Sequence, residues 1–282
     1  MKQVFQIAGM LALAVTTASA ADCDRACLSG MLDRYLTAMV SHTPSGLPLA
    51  AKVRFTEDSK EMPLGQGMWT TATKVRPGRQ DYLDVRQGVA ASHVVVEENG
   101  SPTLYTVVLK IADQKITGIE TQAVHNKAEG ALFTPDSVAS RPPMSYTPTA
   151  AQRATREEAI RLAMFYPKGL TIGSFVQVDA PFTADAYRLE NGGAMAGPGC
   201  SRTGCEDIKA QKITVHPALK AEVVAVDEEQ GLVLLWMNFG NTGSYGPGNA
   251  LIPYEAFKVW GGQIHAVQAF MKVLPEGTTR DW

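Results

Sequence analysis

The feature that most constrains the fold is a pattern of strands that occurs twice, once on each side of a proline-rich segment. Residues 49–59 align without a gap with residues 182–192, and each segment predicts a strand that ends in a glutamate followed by a turn residue. Residues 110–119 align in the same way with residues 258–267, as a strand, a tight turn and a second strand. The sequence therefore predicts two units of one kind.

The segment between the repeats has the composition of a linker. Residues 130–154 carry several prolines among Ser and Thr, with no sustained apolar period. A chain of 282 residues is also long enough for two domains of ordinary size. We therefore expect a first domain over residues 21–129, a linker over residues 130–154 and a second domain over residues 155–282.

Each half begins with a helical pattern and continues with strands. Apolar side chains at helical spacing predict an amphipathic helix at the start of the first half: Leu28, Met31, Leu32, Tyr35, Leu36 and Met39. Thr155 and Glu158 form a capping box that starts a helix in the second half. Hairpin patterns follow in both halves, which predicts an α+β fold with an antiparallel meander after each helix.

The first 20 residues are typical of a secretory signal peptide. Lys2 supplies the positive start, residues 4–15 are mostly apolar, and Ala18, Ser19 and Ala20 form a small-residue cleavage site. We expect cleavage after Ala20 and a periplasmic or secreted mature protein. The apolar run is shorter than the roughly 18 residues that a membrane-spanning helix needs, so no membrane span is expected.

All four cysteines lie after the predicted leader, which favours disulfides in an oxidising compartment. Cys200 and Cys205 close a Gly- and Ser-rich loop. For Cys23 and Cys27 two alternatives stay open: either the helix starts after Cys23 and the two pair in an irregular turn, or one of them reaches another segment. A four-thiolate zinc site is disfavoured because the spacings lack the usual knuckles, so no metal is expected.

Charge and motifs exclude several classes of function. The formal net charge of −2 gives no electrostatic footprint for nucleic acid. The nucleophile elbow, the zinc-protease helix, the Walker loop and the dinucleotide fingerprint are all missing from the sequence. We therefore expect no nucleotide or metal cofactor. Acid–base chemistry without a cofactor, binding and assembly remain.

The second half carries a family resemblance in residues 257–269, FKVWGGQIHAVQA. This hairpin, after a helix and a strand that ends in Glu-Asn, resembles the nuclear transport factor 2-like superfamily, also called SnoaL-like. The whole chain after the leader is similar to a tandem bacterial and fungal group of that superfamily. The resemblance implies two cone-shaped domains, each a curved sheet wrapped on helices around an apolar interior. Members include isomerases, dehydratases and non-enzymatic transport factors, so the fold alone does not give the function.

In the first half the candidate catalytic residues are Glu57, Tyr35 and His93. Glu57 shares a strand face with Val53 and Phe55, where burial would raise its pKa and make it a usable acid or base. The alternative is a glutamate that closes a turn on backbone amides. The resemblance implies that a helix-borne tyrosine such as Tyr35 donates a hydrogen bond into the cone, although a core tyrosine is the commoner outcome.

Further residues are candidates for the pocket wall. Phe55 and Trp69 would line the first cone. In the second half an aromatic and imidazole set lies on predicted strands, and the alternative for all of them is core packing: Tyr187, Trp236, Tyr254 and His265. Glu190 occupies the place of Glu57, but the neighbour that shares its face is Arg188. The two halves therefore disagree about which side of the strand the acid faces, and a bulge could reverse either assignment.

These features favour an exported acid–base lyase or isomerase that acts on a small, mostly apolar, oxygenated molecule in a cone. The alternatives are a binding module for a hydrophobic ligand or protein partner, and a purely structural pair of domains. The resemblance also implies that the two halves pack together as an intramolecular pseudo-dimer, which leaves open a further homo-oligomer.

Overall fold

The computed structural model of the chain describes residues 23–138 and 142–280. The predicted leader, residues 1–20, lies outside the described residues. Across the two described ranges no helix is long and apolar enough to cross a membrane.

The first half is a helix packed on a curved, mixed sheet of seven strands. The elements are α1 (Arg25–Val40), β1 (Leu49–Glu57), β2 (Lys60–Glu61), β3 (Ala72–Val75), β4 (Gln80–Asp84), β5 (Val89–Glu98), β6 (Ser101–Ala112) and β7 (Lys115–Val124). The strand order in the sheet is β2-β1-β7-β6-β5-β3, with β4 paired to β5. The β1–β7 pair is parallel and the remaining pairs are antiparallel.

The second half repeats this plan with six strands, and a short helix, α2 (Lys127–Gly130), precedes it. Its elements are α3 (Arg156–Ala163), α4 (Phe165–Ile172), β8 (Phe182–Glu190), β9 (Gly193–Ala196), β10 (Lys220–Asp227), β11 (Leu232–Asn238), β12 (Asn249–Trp260) and β13 (Gln263–Pro275). The strand order in the sheet is β10-β11-β12-β13-β8-β9. The fold is therefore α+β, with two curved sheets and few helices.

The parallel strand pairs β1–β7 and β8–β13 have equivalent registers in the two halves. Glu57 in β1 lies opposite Thr121 in β7, and Glu190 in β8 lies opposite Ala269 in β13. Both pairs contain an irregularity at the same place, between positions 49 and 54 in β1 and between the aligned positions 182 and 187 in β8. β1 and β8 end at Glu57 and Glu190, the glutamates at which the aligned segments predict a strand to end.

Each sheet buries both of its faces. One face packs on the helices of its own half, and the apolar side chains of α1 lie in that core, as their spacing predicts. The opposite faces of the two sheets pack against each other in a shared apolar core, which Tyr82 and Val108 enter from the first half. The segment predicted as a linker contributes Met144, which is buried in the shared core.

Two ion pairs cross between the halves at equivalent positions. Asp84, at the end of β4, binds Arg156 at the start of α3 with an N–O distance of 2.7 Å. Asp227, at the end of β10, binds Arg25 at the start of α1 at 2.6 Å. Each carboxylate also accepts a backbone N–H from the opposite half. The carboxylates are at most 1% exposed, so the pairs fix the contact between the halves.

Two disulfides are present, Cys23–Cys27 and Cys200–Cys205. The first forms because α1 begins at Arg25, so Cys23 lies before the helix and its Cα is 5.2 Å from that of Cys27. This is the first of the two alternatives left open by the spacing. The two disulfides suggest an oxidising environment for the protein.

Candidate functional site

Glu57 faces the interior of the first half, as its strand position predicts. Its carboxylate accepts the backbone N–H of Met68 at 3.2 Å. Gly67 makes this approach possible, because it has a φ of +64° and a Cβ there would collide with the Glu57 carboxylate. Burial raises the pKa of Glu57 to about 7, although the Met68 hydrogen bond opposes the shift. The Glu57 carboxylate thus holds the backbone of the Gly67–Thr70 turn and titrates near neutral pH.

Tyr35 and Trp69 also lie in the first interior, but their polar atoms bond to each other. The Trp69 indole Nε1 donates to the Tyr35 hydroxyl at 3.1 Å. The Tyr35 and Tyr105 hydroxyls lie 2.9 Å apart and share a further hydrogen bond. All three side chains are at most 1% exposed, and Phe55 packs in the same core. The first interior therefore has a polar cluster whose hydrogen bonds are made within the protein.

The second interior has a different polar set at equivalent positions. Tyr166 takes the place of Tyr35 on the helix, and Glu190 takes that of Glu57 on the strand. Arg188, where the first half has Phe55, bridges the two. Its Nη1 donates to the Tyr166 hydroxyl at 3.2 Å, and its Nε lies 2.9 Å from Glu190 Oε1.

The Arg188 guanidinium stays charged in this buried place. Burial lowers its pKa, but Tyr166 and the carboxylates of Glu190 and Glu255 hold it above the usual range. Its Nη2 donates to Gln211 Oε1 at 2.9 Å. Arg188 therefore fixes the positions of a phenol, a carboxylate and an amide around one point.

Glu255 is a buried carboxyl group beside this set. It lies opposite Ala269, which in turn lies opposite Glu190, so the two acids are two strands apart with a small residue between them. Burial, reinforced by the charge of Glu190, raises the pKa of Glu255 to about 8, although Arg188 and a hydrogen bond with Tyr166 oppose the shift. Near neutral pH this carboxyl is mostly protonated and can donate a hydrogen bond.

A cavity of about 260 Å³ opens onto Tyr166, Arg188 and Glu190. Its buried floor also includes Leu170, His216, Phe239 and Leu251. Its more exposed rim is formed by Met195, Arg202, Gln211, Lys212, Ile213, Thr214 and Tyr245. Burial lowers the pKa of His216, so this imidazole is neutral near pH 7. The cavity brings a carboxylate, a phenol and a guanidinium to one small space that is lined by both polar and apolar side chains.

The aromatic residues predicted for the second pocket lie elsewhere. Tyr187, Trp236 and Tyr254 belong to the apolar core between the two sheets. His265 lies on the β12–β13 hairpin and stacks on Trp260 with ring centres 3.3 Å apart. Both faces of these strands are apolar, so the alternation of side chains does not identify the face that lines the interior. The prediction that these residues line the pocket therefore chose the wrong face.

His93 also lies between the sheets and away from both interiors. It is fully buried, stacks on Phe270 and has its Nδ1 3.0 Å from the Tyr82 hydroxyl. Burial lowers its pKa to about 3. The structure therefore brings Glu57, Tyr35, Phe55 and Trp69 together in the first half, but not His93.

The sequence analysis did not identify the polar set of the second interior, although two signals for it were present. The gapless repeat sets Arg188 against Phe55, so a charge replaces an aromatic ring at an inward position. The hairpin alignment, extended backwards, sets Glu255 against Val107. A charged residue whose repeat counterpart is apolar therefore marks the half that has a polar interior.

The His, Cys, Asp and Glu side chains at positions 23–138 and 142–280 form no group of three or more that could hold a metal ion.

Comparison with known proteins gives one family match and distant structural neighbours. Residues 152–271 match the model of a family described as "Domain of unknown function (DUF8021)". No curated protein matches the chain. A de novo designed protein with a curved β-sheet is 16% identical over 36% of this chain and 88% of its own, with a TM-score of 0.30. An NTF2-like protein of unknown function from Cytophaga hutchinsonii is 8% identical over 34% of this chain and 89% of its own, with a TM-score of 0.25.

Proposed function

We propose that the protein is a cofactor-free acid–base lyase or isomerase whose working site is the cavity of the second half. The observation that carries this proposal is the convergence of Tyr166, Arg188 and Glu190 on a cavity of about 260 Å³. That volume lies just below the roughly 300–1,000 Å³ of pockets for drug-sized ligands, which suits a smaller oxygenated substrate.

Each residue of the set has a role in moving a proton. Glu190 is the base that removes a proton next to a substrate carbonyl. The Tyr166 and Arg188 pair stabilises the negative charge that develops on the carbonyl oxygen, and the buried setting strengthens that interaction. Glu255, mostly protonated near neutral pH, is a positioning residue for Tyr166. In the first half the polar atoms of Tyr35, Trp69 and Tyr105 hydrogen-bond to one another. The first half therefore acts as a scaffold for the second.

The wider assignment rests on the shape and pairing of the two halves. We propose that both are nuclear transport factor 2-like cones over residues 21–129 and 155–282, joined by residues 130–154 and paired as an intramolecular pseudo-dimer. The shared register of β1–β7 and β8–β13 supports this division. The two disulfides support export, with removal of the leader after Ala20.

Hydrogen–deuterium exchange at carbon tests the chemistry without knowledge of the product. Small ketones and hydroxy-ketones are incubated with the protein in D₂O, and loss of the α-proton signal is followed by proton NMR. We expect catalysed exchange that falls about 10²-fold or more in Glu190→Gln. Glu57→Gln is the matched control from the equivalent position, and it should exchange at the wild-type rate.

The reverse pattern would refute this site. Loss of exchange in Glu57→Gln with full exchange in Glu190→Gln would assign the chemistry to the first interior, with Glu57 as base and Tyr35 as donor.

A second candidate function is binding of a hydrophobic ligand without turnover. The apolar part of the cavity floor favours it, namely Leu170, Phe239 and Leu251. A ligand that is retained in the cavity while no tested compound exchanges its α-proton would support this candidate over the enzyme.

A further inference from the structure

The rim of the second cavity carries a net positive charge, whereas the charges on the cavity floor cancel each other. Three basic residues and one acidic residue line the cavity. Arg188 on the floor is paired with Glu190, which leaves Arg202 and Lys212 as the uncompensated charges. Within the described parts of the chain neither of them forms an ion pair, and the guanidinium of Arg202 contacts the sulfur of Met195.

Other charges of the same segment are neutralised or directed elsewhere. Lys209 pairs with Asp179 at 2.7 Å and is not part of the cavity lining. Asp207 accepts the backbone N–H groups of Lys209 and Ala210. Neither Asp207 nor its neighbour Glu206 lines the cavity. The positive potential at the mouth therefore comes from two side chains at defined positions rather than from a generally basic surface.

The segment that carries Arg202 is tied down at the rim. Cys200 and Cys205 enclose it in a disulfide-closed loop, and Cys205 O accepts the backbone N–H of Gly197 at 2.7 Å. Gln211, further along the segment, joins the rim to the floor because its side chain accepts from Arg188 and donates to the Met195 carbonyl. A rim that is ordered before binding loses less conformational entropy when a ligand arrives.

We propose that the cavity takes a small molecule that bears a carboxylate, which Arg202 and Lys212 bind at the rim. The uncharged part of the ligand lies on the floor against Leu170, Phe239 and Leu251. An oxygen of that part reaches the Tyr166 and Arg188 pair. This inference rests on the proposed function only in placing the site, and it adds the charge of the substrate class.

The test compares small acids with their neutral amides, which have nearly the same shape. Benzoate with benzamide and hexanoate with hexanamide are titrated into the protein at low ionic strength, and Kd is measured by isothermal titration calorimetry. We expect each acid to bind roughly tenfold or more tighter than its amide, since two charge-assisted hydrogen bonds distinguish them. Screening by salt should reduce this preference.

Charge variants locate the preference. Arg202→Gln and Lys212→Gln should each weaken binding of the acids and leave the amides unchanged, and the double variant should bind acid and amide equally. Lys209→Gln is the control, because it removes one positive charge from the same segment outside the cavity. If it weakens acid binding as much as the rim variants do, the carboxylate binds elsewhere and the proposal is wrong.

Two other outcomes separate this inference from the proposed function. Equal affinity of wild-type protein for acid and amide would overturn the assignment of charge and leave the cavity as a binding site. Failure of all four compounds to bind, together with no catalysed exchange, would overturn both proposals.

Discussion

Glu255 shows how one residue can make the stability of the whole protein depend on pH. Its pKa is raised by burial from 4.5 to about 8. The folded protein therefore binds this proton more tightly than the unfolded chain does. As pH rises from about 5 to 8, the unfolded chain releases the proton first, and the free energy of unfolding falls by at most about 1.4 kcal/mol per pH unit for one such group.

Glu255→Gln removes this contribution, because an amide does not titrate in that range. We expect the free energy of unfolding of the variant, relative to wild type, to rise from pH 5 to pH 8 in urea titrations. Glu57→Gln is a useful comparison, because its free energy of unfolding relative to wild type should stop rising nearer pH 7. A difference between Glu255→Gln and wild type that does not change with pH would contradict the raised pKa.

At the scale of elements, the turn after β8 connects three parts of the chain, namely β8 itself, residues 130–132 and β13. The two N–H groups of the Asn191 side chain are shared among the carbonyl groups of Gly130, Leu132 and Met271, which all lie within hydrogen-bond distance. Its Oδ1 accepts the backbone N–H of Met271 at 2.8 Å. A fully buried amide with all of these bonds connects three segments that are distant in sequence.

Asn191→Ala should lower the free energy of unfolding by roughly 2–4 kcal/mol, because buried carbonyl and N–H groups lose their partner. Urea unfolding monitored by circular dichroism measures this. Asn99→Ala is the matched control: Asn99 also has a positive φ, 50° against 46°, but lies exposed in a hairpin turn. If the two variants lose the same stability, the loss comes from the backbone conformation rather than from the buried amide.

The elements were more predictable from the sequence than the site. The repeat places β1 and β8 because strand ends and turn residues are local signals. The polar set of the second interior depends on the pairing of Glu190, Ala269 and Glu255 from three strands, whose register is set by tertiary contacts. The positions of Tyr187 and Trp236 could not be predicted from the local sequence either, because the pattern of a strand buried on both faces does not show which face lines the interior.

At the scale of the whole molecule, the two buried ion pairs Asp84–Arg156 and Asp227–Arg25 make the stability of each half depend on the other. Asp84→Ala should cost roughly 3–5 kcal/mol in free energy of unfolding, since it leaves Arg156 without its buried partner. The double variant with Arg156→Ala should cost less than the sum of the two single variants, by about 0.5–3 kcal/mol. Thermal and urea unfolding of the four proteins complete the cycle.

Asp136→Ala is the control for this cycle. Its carboxylate binds Arg76 at 2.6 Å, but its side chain is 86% exposed, so the change should be within about 1 kcal/mol. Additive effects of Asp84→Ala and Arg156→Ala would mean that the pair does not couple the halves.

The shared core between the sheets has a consequence for how the protein behaves on dilution. A dimer of separate subunits dissociates at low concentration, and its melting temperature falls as it is diluted. Here the two partners belong to one chain, so each meets the other at a fixed effective concentration. The cavity of the second half therefore keeps the support of the first at any protein concentration.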